Sequence, residues 1–433
     1  MHDLMIHNAS LPDGRTGIDI AVRGGRIADI GHQLGGKSVR TFDVDGWLVS
    51  PPFVDPHFHI DATLSRGRPR ENLSGTLLEG ITIWGELVPT LTHDDVKDRA
   101  RRLCYWSAAK GCLAIRSHVD VSDPRLVAVE ALLELRREIS SWFDLQLVAF
   151  PQNGYYRQPG AIENLERALD MGVEVVGGIP HFERTMDDGT RSVRALCELA
   201  ERRGLLVDMH CDETDDPMSR HIETLAYETT RLGLNGRVSG SHLTSMHSMD
   251  NYYVSKLLPL IREAELFAIA NPLINITIQG RHDTYPKRRG LTRIREMLAE
   301  GIPVALGHDC VMDPWYALGS HDMLEVAKMA VHVGHMTGVD DMQAMYESVT
   351  TTAAAAMRLE GYGLEPGCHA DLVVLQASNP IEAMRIQATR LQVLRRGEII
   401  ASSRPAESRL CIGGAEVSVD FTERNRPADA DQS

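Results

Sequence analysis

Histidine and acidic residues stand at the ends of four predicted strands in this chain. His57 and His59 follow the first apolar run, His210 and His242 end two later runs, and Asp309 ends the last one. Imidazoles and a carboxylate bind a divalent ion such as zinc or iron(II) and leave a coordination position for water. An ion held in this way lowers the pKa of that water from about 15.7 toward about 7. The pattern therefore indicates metal-assisted hydrolysis.

A further carboxyl group, Glu213, lies three residues after His210. A carboxylate beside an activated water can carry its proton to a leaving group. Each feature alone is weak evidence: an HxH pair points to one side of a strand but also arises by chance. His242 alone is compatible with a buried structural histidine, and Asp309 with a helix cap. The coincidence of four such strand ends favours the metal site.

Eight apolar runs alternate with helical patterns in the middle of the chain, which is typical of a parallel sheet. Patterns such as 95–110, 192–203 and 291–300 predict helices. Eight such units favour a closed (β/α)₈ TIM-like barrel over an open doubly wound sheet, and no GxGxxG motif follows any run. The carboxyl ends of barrel strands meet at one mouth, so the polar residues there are expected to converge. The runs end near Asp55, His118, Pro151, Pro180, His210, His242, Pro272 and Asp309.

Both ends of the chain show short apolar runs separated by turn residues, a pattern that predicts β-structure. We predict that residues 1–49 and 365–415 pair into one small β-sandwich domain, with the barrel formed by residues 50–364. Residues 416–433 lose this periodicity and end in a polar stretch, so a disordered tail is expected there.

The charge, the apolar stretches and the cysteines of the chain bear on its partners and its location. The net charge is −15, and the only notable basic cluster is Lys287-Arg288-Arg289, so nucleic acid is not expected as a partner. No signal peptide pattern is present, and no apolar stretch approaches ~18 residues, so no membrane contact is expected. Seven cysteines without regular spacing are typical of reduced thiols and predict a cytoplasmic location. We also predict a homo-oligomer.

The stretch Val54-Asp55-Pro56-His57-Phe58-His59 resembles the first-strand signature of the amidohydrolase superfamily. The later strand-end residues follow in the order of that superfamily. More narrowly, the chain resembles the bacterial cytosine deaminase family from about residue 3 to about residue 405. The strings that carry this likeness are SHVDVSD, VAFPQNG, GGIPHFE, HCDETDD, SHLTSMHS, QGRHDTYPKRRGLTR and GHDCVMDPWYALG.

The resemblance implies a role for each candidate residue in releasing ammonia from C4 of a pyrimidine. His242 and Asp309 would contact the attacking water, and Glu213 would move its proton to ring nitrogen N3. Gln152 would bind the amide edge of the base, since its side chain offers both a donor and an acceptor. Trp315, Phe150 and Leu77 would wall the pocket. The implied metal ligands are His57, His59, His210 and Asp309.

The absence of a lysine that could bridge two metal ions predicts one ion per chain. Binuclear amidohydrolases bridge two ions with a carboxylated lysine, usually on the fourth strand. That strand reads VEVVGGIPHFE here, and no lysine occurs between Lys110 and Lys256.

One position departs from the cytosine deaminase pattern, in which a second aspartate follows the metal aspartate. Cys310 stands there in this chain. The replacement could be neutral, or Cys310 could border C5 of the base and make room for a substituent such as the methyl group of 5-methylcytosine. A third interpretation makes Cys310 an additional thiolate ligand, which a complete ligand set argues against.

Three functions remain open at this level. The first is deamination of free cytosine or 5-methylcytosine. The second is hydrolysis of a related ring amidine (creatinine, isoguanine or a triazine), which would use the same ligands. The third is a catalytically inactive amidohydrolase-like scaffold, which would require missing ligands, and none is missing.

Overall fold

The structure, a computed structural model, describes residues 1–422. Its strands are β1 His2–Ala9, β2 Ile18–Arg23, β3 Arg26–Gly31, β4 Ser38–Asp43, β5 Leu48–Ser50, β6 Phe53–Phe58, β7 Cys112–Asp120, β8 Asp144–Phe150, β9 Val175–Gly178, β10 Leu206–Cys211, β11 Val238–His242, β12 Phe267–Ala270, β13 Val304–Leu306, β14 Leu372–Leu375, β15 Arg390–Arg395, β16 Glu398–Ser402, β17 Ser408–Ile412 and β18 Ala415–Val419. Its helices are α1 Leu77–Leu87, α2 His93–Ala109, α3 Val127–Ile139, α4 Ala161–Asp170, α5 Met186–Arg203, α6 His221–Arg231, α7 Asn251–Glu263, α8 Pro272–Ile278, α9 Ile294–Ala299, α10 Met323–Val333, α11 Val339–Glu347, α12 Thr351–Met357 and α13 Pro380–Ile386.

Strands β6 to β13 form one parallel sheet in sequence order. A parallel bridge between Phe58 and Asp309 joins the first strand to the segment after the last one. Most residues of these strands are buried, including all nine of β7, because helices cover one face and side chains fill the other. The predicted (β/α)₈ barrel is confirmed, and each predicted strand matches an observed one.

The helices around the barrel begin at residues that cap them. The side chain of Thr92 accepts the Asp95 N–H at the start of α2, and Thr185 accepts the Asp188 N–H at the start of α5. Acidic residues in these first turns also interact favourably with the helix dipole. These caps fix where the chain turns from each loop into the helix that covers the barrel.

The two chain ends form the predicted β-sandwich. One sheet has the order β3-β2-β1-β4, and the other has the order β16-β15-β14-β5. The N-terminal strand β5 pairs antiparallel with the C-terminal strand β14, which joins the two ends. Leu4 and Ile6 of the first sheet share an apolar core with Leu372 and Val374 of the second.

The C-terminal boundary differs from the prediction. Strands β17 and β18 form a hairpin, so the expected tail boundary at residue 416 falls inside a strand. Alternating residues such as Val417 and Val419 are too few to signal that hairpin against a polar background. The rest of the predicted tail, residues 423–433, lies outside the described residues. Among residues 1–422, no helix combines the length and apolarity needed to cross a membrane.

Candidate active site

The four predicted metal ligands converge at the mouth of the barrel. One potential donor atom from each of His57, His59, His210 and Asp309 lies within 4.8 Å of the others, and all four residues are buried. The Nε2 atoms of His59 and His210 are 3.0 Å apart, and Asp309 Oδ1 lies 3.4 Å from Nε2 of both His57 and His59. Three imidazole nitrogens and a carboxylate oxygen facing one point suit a shared cation.

The ring of His57 is held in the tautomer that a metal ligand needs. Ser241 Oγ donates to Asp208 Oδ1 at 2.6 Å, so it accepts from His57 Nδ1–H at 2.8 Å. Arg116 Nη1 in turn donates to Asp208 Oδ2 at 2.9 Å. This leaves an unprotonated lone pair on His57 Nε2, which is buried and has no hydrogen-bond partner. That orphaned atom is the observation that fits these residues to a divalent ion.

Burial keeps the ligand histidines neutral. It lowers the pKa of His57 to about 3, with a smaller contribution from the positive charge of Arg116. It also lowers the pKa of His59 to about 4. Neutral imidazole is the form that binds a metal, so these groups need lose no proton when an ion enters at neutral pH.

His118 lies near the end of β7. The sequence predicts that a barrel strand ends there, but His118 is not among the predicted site residues. Its ring lies between two ligands, with centroids 4.2 Å from His57 and 4.6 Å from His210. Neither of its ring nitrogens has a hydrogen-bond partner, and Nε2 lies 3.7 Å from Asp208 Oδ1. The signal that could have found it is the one used for the other histidines, a polar residue ending a barrel strand.

A carboxyl group and a fourth histidine stand beside the ligand cluster. Glu213 Oε1 lies 3.2 Å from His242 Nδ1, and His242 Nε2 lies 4.0 Å from Asp309 Oδ2. Asn275 Nδ2 is 3.0 Å from His242 Nδ1 and helps to fix the ring. Burial, and then the negative charge of Asp309, raise the pKa of Glu213 well above its usual range. Glu213 is therefore suited to hold a proton in this site and pass it on.

The backbone is strained where these side chains turn into the mouth. Asp212, His242 and Asp309 all have a left-handed φ, at 54°, 71° and 71°. Non-glycine residues adopt this region rarely, and such strain concentrates at functional sites. His242 is the last residue of β11 and Asp309 follows β13, so the strained residues lie where the chain leaves the barrel strands.

A cavity of about 210 Å³ opens directly above the cluster. This is smaller than the ~300–1,000 Å³ of sites for drug-sized ligands, so a small ligand is indicated. The polar groups Glu213, His242 and Asp309 lie on its floor side, and aliphatic side chains from α1 and α8 line much of the rest. The apolar lining residues are Leu77, Leu78, Ile81, Ile179, Phe182, Ile274, Ile278 and Trp315.

Four of the five predicted substrate-binding residues line this cavity, namely Gln152, Cys310, Trp315 and Leu77. Phe150 does not, which corrects its expected place in the wall. Its side chain is fully buried and stacks on His210, with ring centroids 4.1 Å apart. Phe150 is the last residue of β8, and its ring supports that of a predicted ligand instead of facing the cavity.

Cys310 is buried beside the ligands but is not one of them. Among residues 1–422, no ligand-distance group of histidine, cysteine and acidic residues includes Cys310. Burial, followed by the negative charges of Asp309 and Asp313, raises the pKa of the Cys310 thiol well above its usual range. The cavity therefore meets a neutral thiol at this position, and the thiolate-ligand interpretation lacks support.

Comparison with known proteins places this site in a family. The model of the amidohydrolase family matches residues 40–401 of the chain. The chain belongs to the amidohydrolase family. It is therefore a hydrolase acting on C–N bonds, and the predicted resemblance is confirmed.

Similar proteins of the amidohydrolase family are named for different substrates. The solved structure of 5-methylcytosine deaminase from Klebsiella pneumoniae is 42% identical and covers 94% of this chain and 99% of that chain, with a TM-score of 0.91. N-isopropylammelide isopropyl amidohydrolase from Pseudomonas sp. (strain ADP) is 28% identical, over 92% of this chain and 97% of the relative. Pterin deaminase from Rhizobium rhizogenes is 28% identical, over 91% and 90%.

Proposed function

We propose that this amidohydrolase deaminates a free pyrimidine base, converting 5-methylcytosine to thymine and cytosine to uracil with release of ammonia. The observation that carries the proposal is the neutral thiol of Cys310 in the cavity beside Asp309. The 42% identity to 5-methylcytosine deaminase supports the same substrate class.

His57, His59, His210 and Asp309 would hold one divalent ion, zinc or iron(II). A bound ion supplies Lewis acidity that lowers the pKa of water from about 15.7 toward about 7. The chain's own contribution is to fix the ligand tautomers, through contacts such as that of Ser241 with His57 Nδ1, and to keep the rings neutral.

Glu213 and His242 would manage the protons of the reaction. His242, held by Asn275, orients the attacking water and helps remove its proton. Glu213 would take a proton from the attacking water and give it to N3, which makes C4 a better electrophile as the water oxygen bonds to it. Glu213 would then carry the remaining proton of the new C4 hydroxyl to the amine. The C4–N bond breaks with its electron pair on nitrogen, C4–O becomes a carbonyl, and ammonia leaves. One carboxyl group performs both transfers because its pKa is raised by burial.

Gln152 would recognise the base itself. Its amide lies in the cavity and can pair with the neighbouring donor and acceptor on one edge of the pyrimidine. Trp315 and Leu77 would cover the ring faces. The small cavity favours a single ring over a nucleoside.

A related ring amidine is the second candidate substrate. The observation behind it is the identity of 28% to both an isopropylammelide amidohydrolase and a pterin deaminase. A triazine, creatinine or isoguanine would use the same ligands and the same Glu213, so only the groups around the ring distinguish them. The proposed homo-oligomer and cytoplasmic location stay predictions.

Replacing Cys310 with aspartate is expected to lower kcat/KM for 5-methylcytosine by about 10- to 200-fold and to spare cytosine. A methyl group against a thiol gains an apolar contact worth about 0.8 kcal/mol. Against a carboxylate, the same methyl group would displace the water that solvates the charge and would offer no hydrogen bond in its place. The new carboxylate would also stand beside Asp309 and Asp313, whose negative charges already raise the pKa of the Cys310 thiol. Steady-state kinetics on both bases with each protein decides the matter.

Cys310→Ser is the matched control, since serine is small and uncharged. It should keep the preference for 5-methylcytosine relative to cytosine within a few-fold of the parent. Equal losses on both bases in Cys310→Asp would mean that Cys310 supports the metal site, and the proposed role in substrate choice would be wrong.

A further inference from the structure

A buried histidine outside the ligand set connects the substrate loop to the strand that carries two ligands. The loop 309–322 follows β13 and carries Cys310 and Trp315, both of which line the cavity. His321 stands at the end of this loop with a left-handed φ of 58° and no exposed surface. Its side chain packs against the barrel strand β6, where it contacts Asp55 and Phe58.

Both ring nitrogens of His321 have partners there. Nε2 lies 2.9 Å from Asp55 Oδ2, and Nδ1 lies 2.9 Å from Ser107 Oγ on α2. The ring meets Phe58 edge-on with centroids 4.8 Å apart and stacks on His308 at 5.4 Å. A fully satisfied polar side chain in such a position fixes one arrangement of the elements around it.

Asp55 transmits this contact to the ligands. Its second oxygen, Oδ1, accepts the backbone N–H of His57 at 3.1 Å and of His308 at 3.2 Å. His57 and Asp309 are joined in turn, because Asp309 N–H donates to the His57 carbonyl at 3.0 Å. One carboxylate therefore sets the backbone on both sides of the junction at which β6 meets the segment after β13.

We infer that His321 is a positioning residue, which through Asp55 holds the ligand-bearing strand and the substrate loop in register. The inference rests on the metal centre of the proposed function but not on the identity of its substrate. Without the His321 contact, the Asp55 carboxylate would be left buried with one oxygen unpaired, and the two backbone donors that it fixes would lose their common anchor. The ligand geometry would then loosen although no ligand is changed.

Three replacements of His321 separate positioning from general packing. His321→Gln places an amide N–H near the former Nε2 and keeps the Asp55 contact. His321→Asn places an amide N–H near the position of the histidine Nδ1 and keeps only the Ser107 contact. His321→Leu keeps a similar side-chain volume and loses both contacts. His332→Gln, on the exposed face of α10, is the matched control.

The test loads each folded protein with zinc and follows its release to a chromophoric chelator, alongside thermal unfolding and kinetics on 5-methylcytosine. We expect His321→Leu and His321→Asn to release zinc about 10- to 100-fold faster than the parent, as for other residues that orient metal ligands. His321→Gln and the control should stay close to the parent. In His321→Leu and His321→Asn we also expect kcat to fall as the ligands loosen, and KM to rise as the Trp315 loop is displaced.

Two results would overturn the inference. The first is zinc release from His321→Asn as slow as from the parent, even if His321→Leu fails to fold. The second is faster release from His321→Gln than from His321→Asn, since that would assign the effect to Ser107. A parent protein that binds no zinc or iron would contradict the proposed metal centre itself, which is a separate and distinguishable failure.

Discussion

Replacing Glu213 with glutamine is expected to lower kcat by about 10²- to 10⁴-fold while the metal stays bound. Glutamine keeps the shape of the side chain and its contact with His242 but cannot exchange a proton. The carboxyl group is buried, 3.2 Å from the His242 ring, and is not one of the four clustered ligands. Single-turnover kinetics together with metal analysis of the same sample measures both parts of the prediction.

Glu223→Gln is the control for that experiment, because Glu223 is an exposed residue on α6 and should not affect turnover. Near-normal kcat in Glu213→Gln would remove Glu213 from the proton transfers. A loss of metal in the same variant would instead place its carboxylate among the ligands.

Replacing His210 with alanine is expected to remove most of the bound metal, and turnover with it. The His210 ring nitrogen lies 3.0 Å from that of His59 and completes the set of donors, so three ligands would remain around an enlarged space. Elemental analysis of the parent should give close to one divalent ion per chain. The exposed His282 offers a control, and His282→Ala should keep its metal.

Two tightly held ions per parent chain would contradict the mononuclear site. The prediction of one ion depends on the missing lysine between Lys110 and Lys256. Two further buried groups of possible donors lie within ligand distances: Glu213 with His242 and Asp309, and His57 with His118 and Asp208. The first shares Asp309 with the proposed ligand set. In the second, Asp208 is already paired with Arg116, and a cation there would meet the positive charge of that guanidinium.

The barrel and its mouth could be predicted because their signals are local. An apolar run buried on both faces ends where a polar residue such as His210 or His242 appears, and the fold gathers those ends by itself. The second strand of the β17–β18 hairpin could not be predicted, since its few apolar residues are exposed and stand next to a polar tail. The short strand β4 gave too weak a pattern for the same reason.

Contacts between distant parts of the chain explain the remaining differences. Phe150 is predicted in the pocket wall but stacks on His210, a contact with another strand that its own sequence neighbourhood does not signal. The Asp55–His321 contact joins residues 266 positions apart, and no spacing rule connects them. The sequence locates the ends of strands, whereas the packing beneath those ends decides which side chains face substrate and which hold the ligands.

The most direct test of the proposed function is ammonia release from four bases by one preparation of known metal content. The panel contains 5-methylcytosine, cytosine, isoguanine and creatinine, each assayed before and after removal of the metal. We expect 5-methylcytosine to be deaminated at least as efficiently as cytosine, with little release from the other two and none after metal removal. Faster release from isoguanine or creatinine, or activity that survives metal removal, would contradict a metal-dependent pyrimidine deaminase.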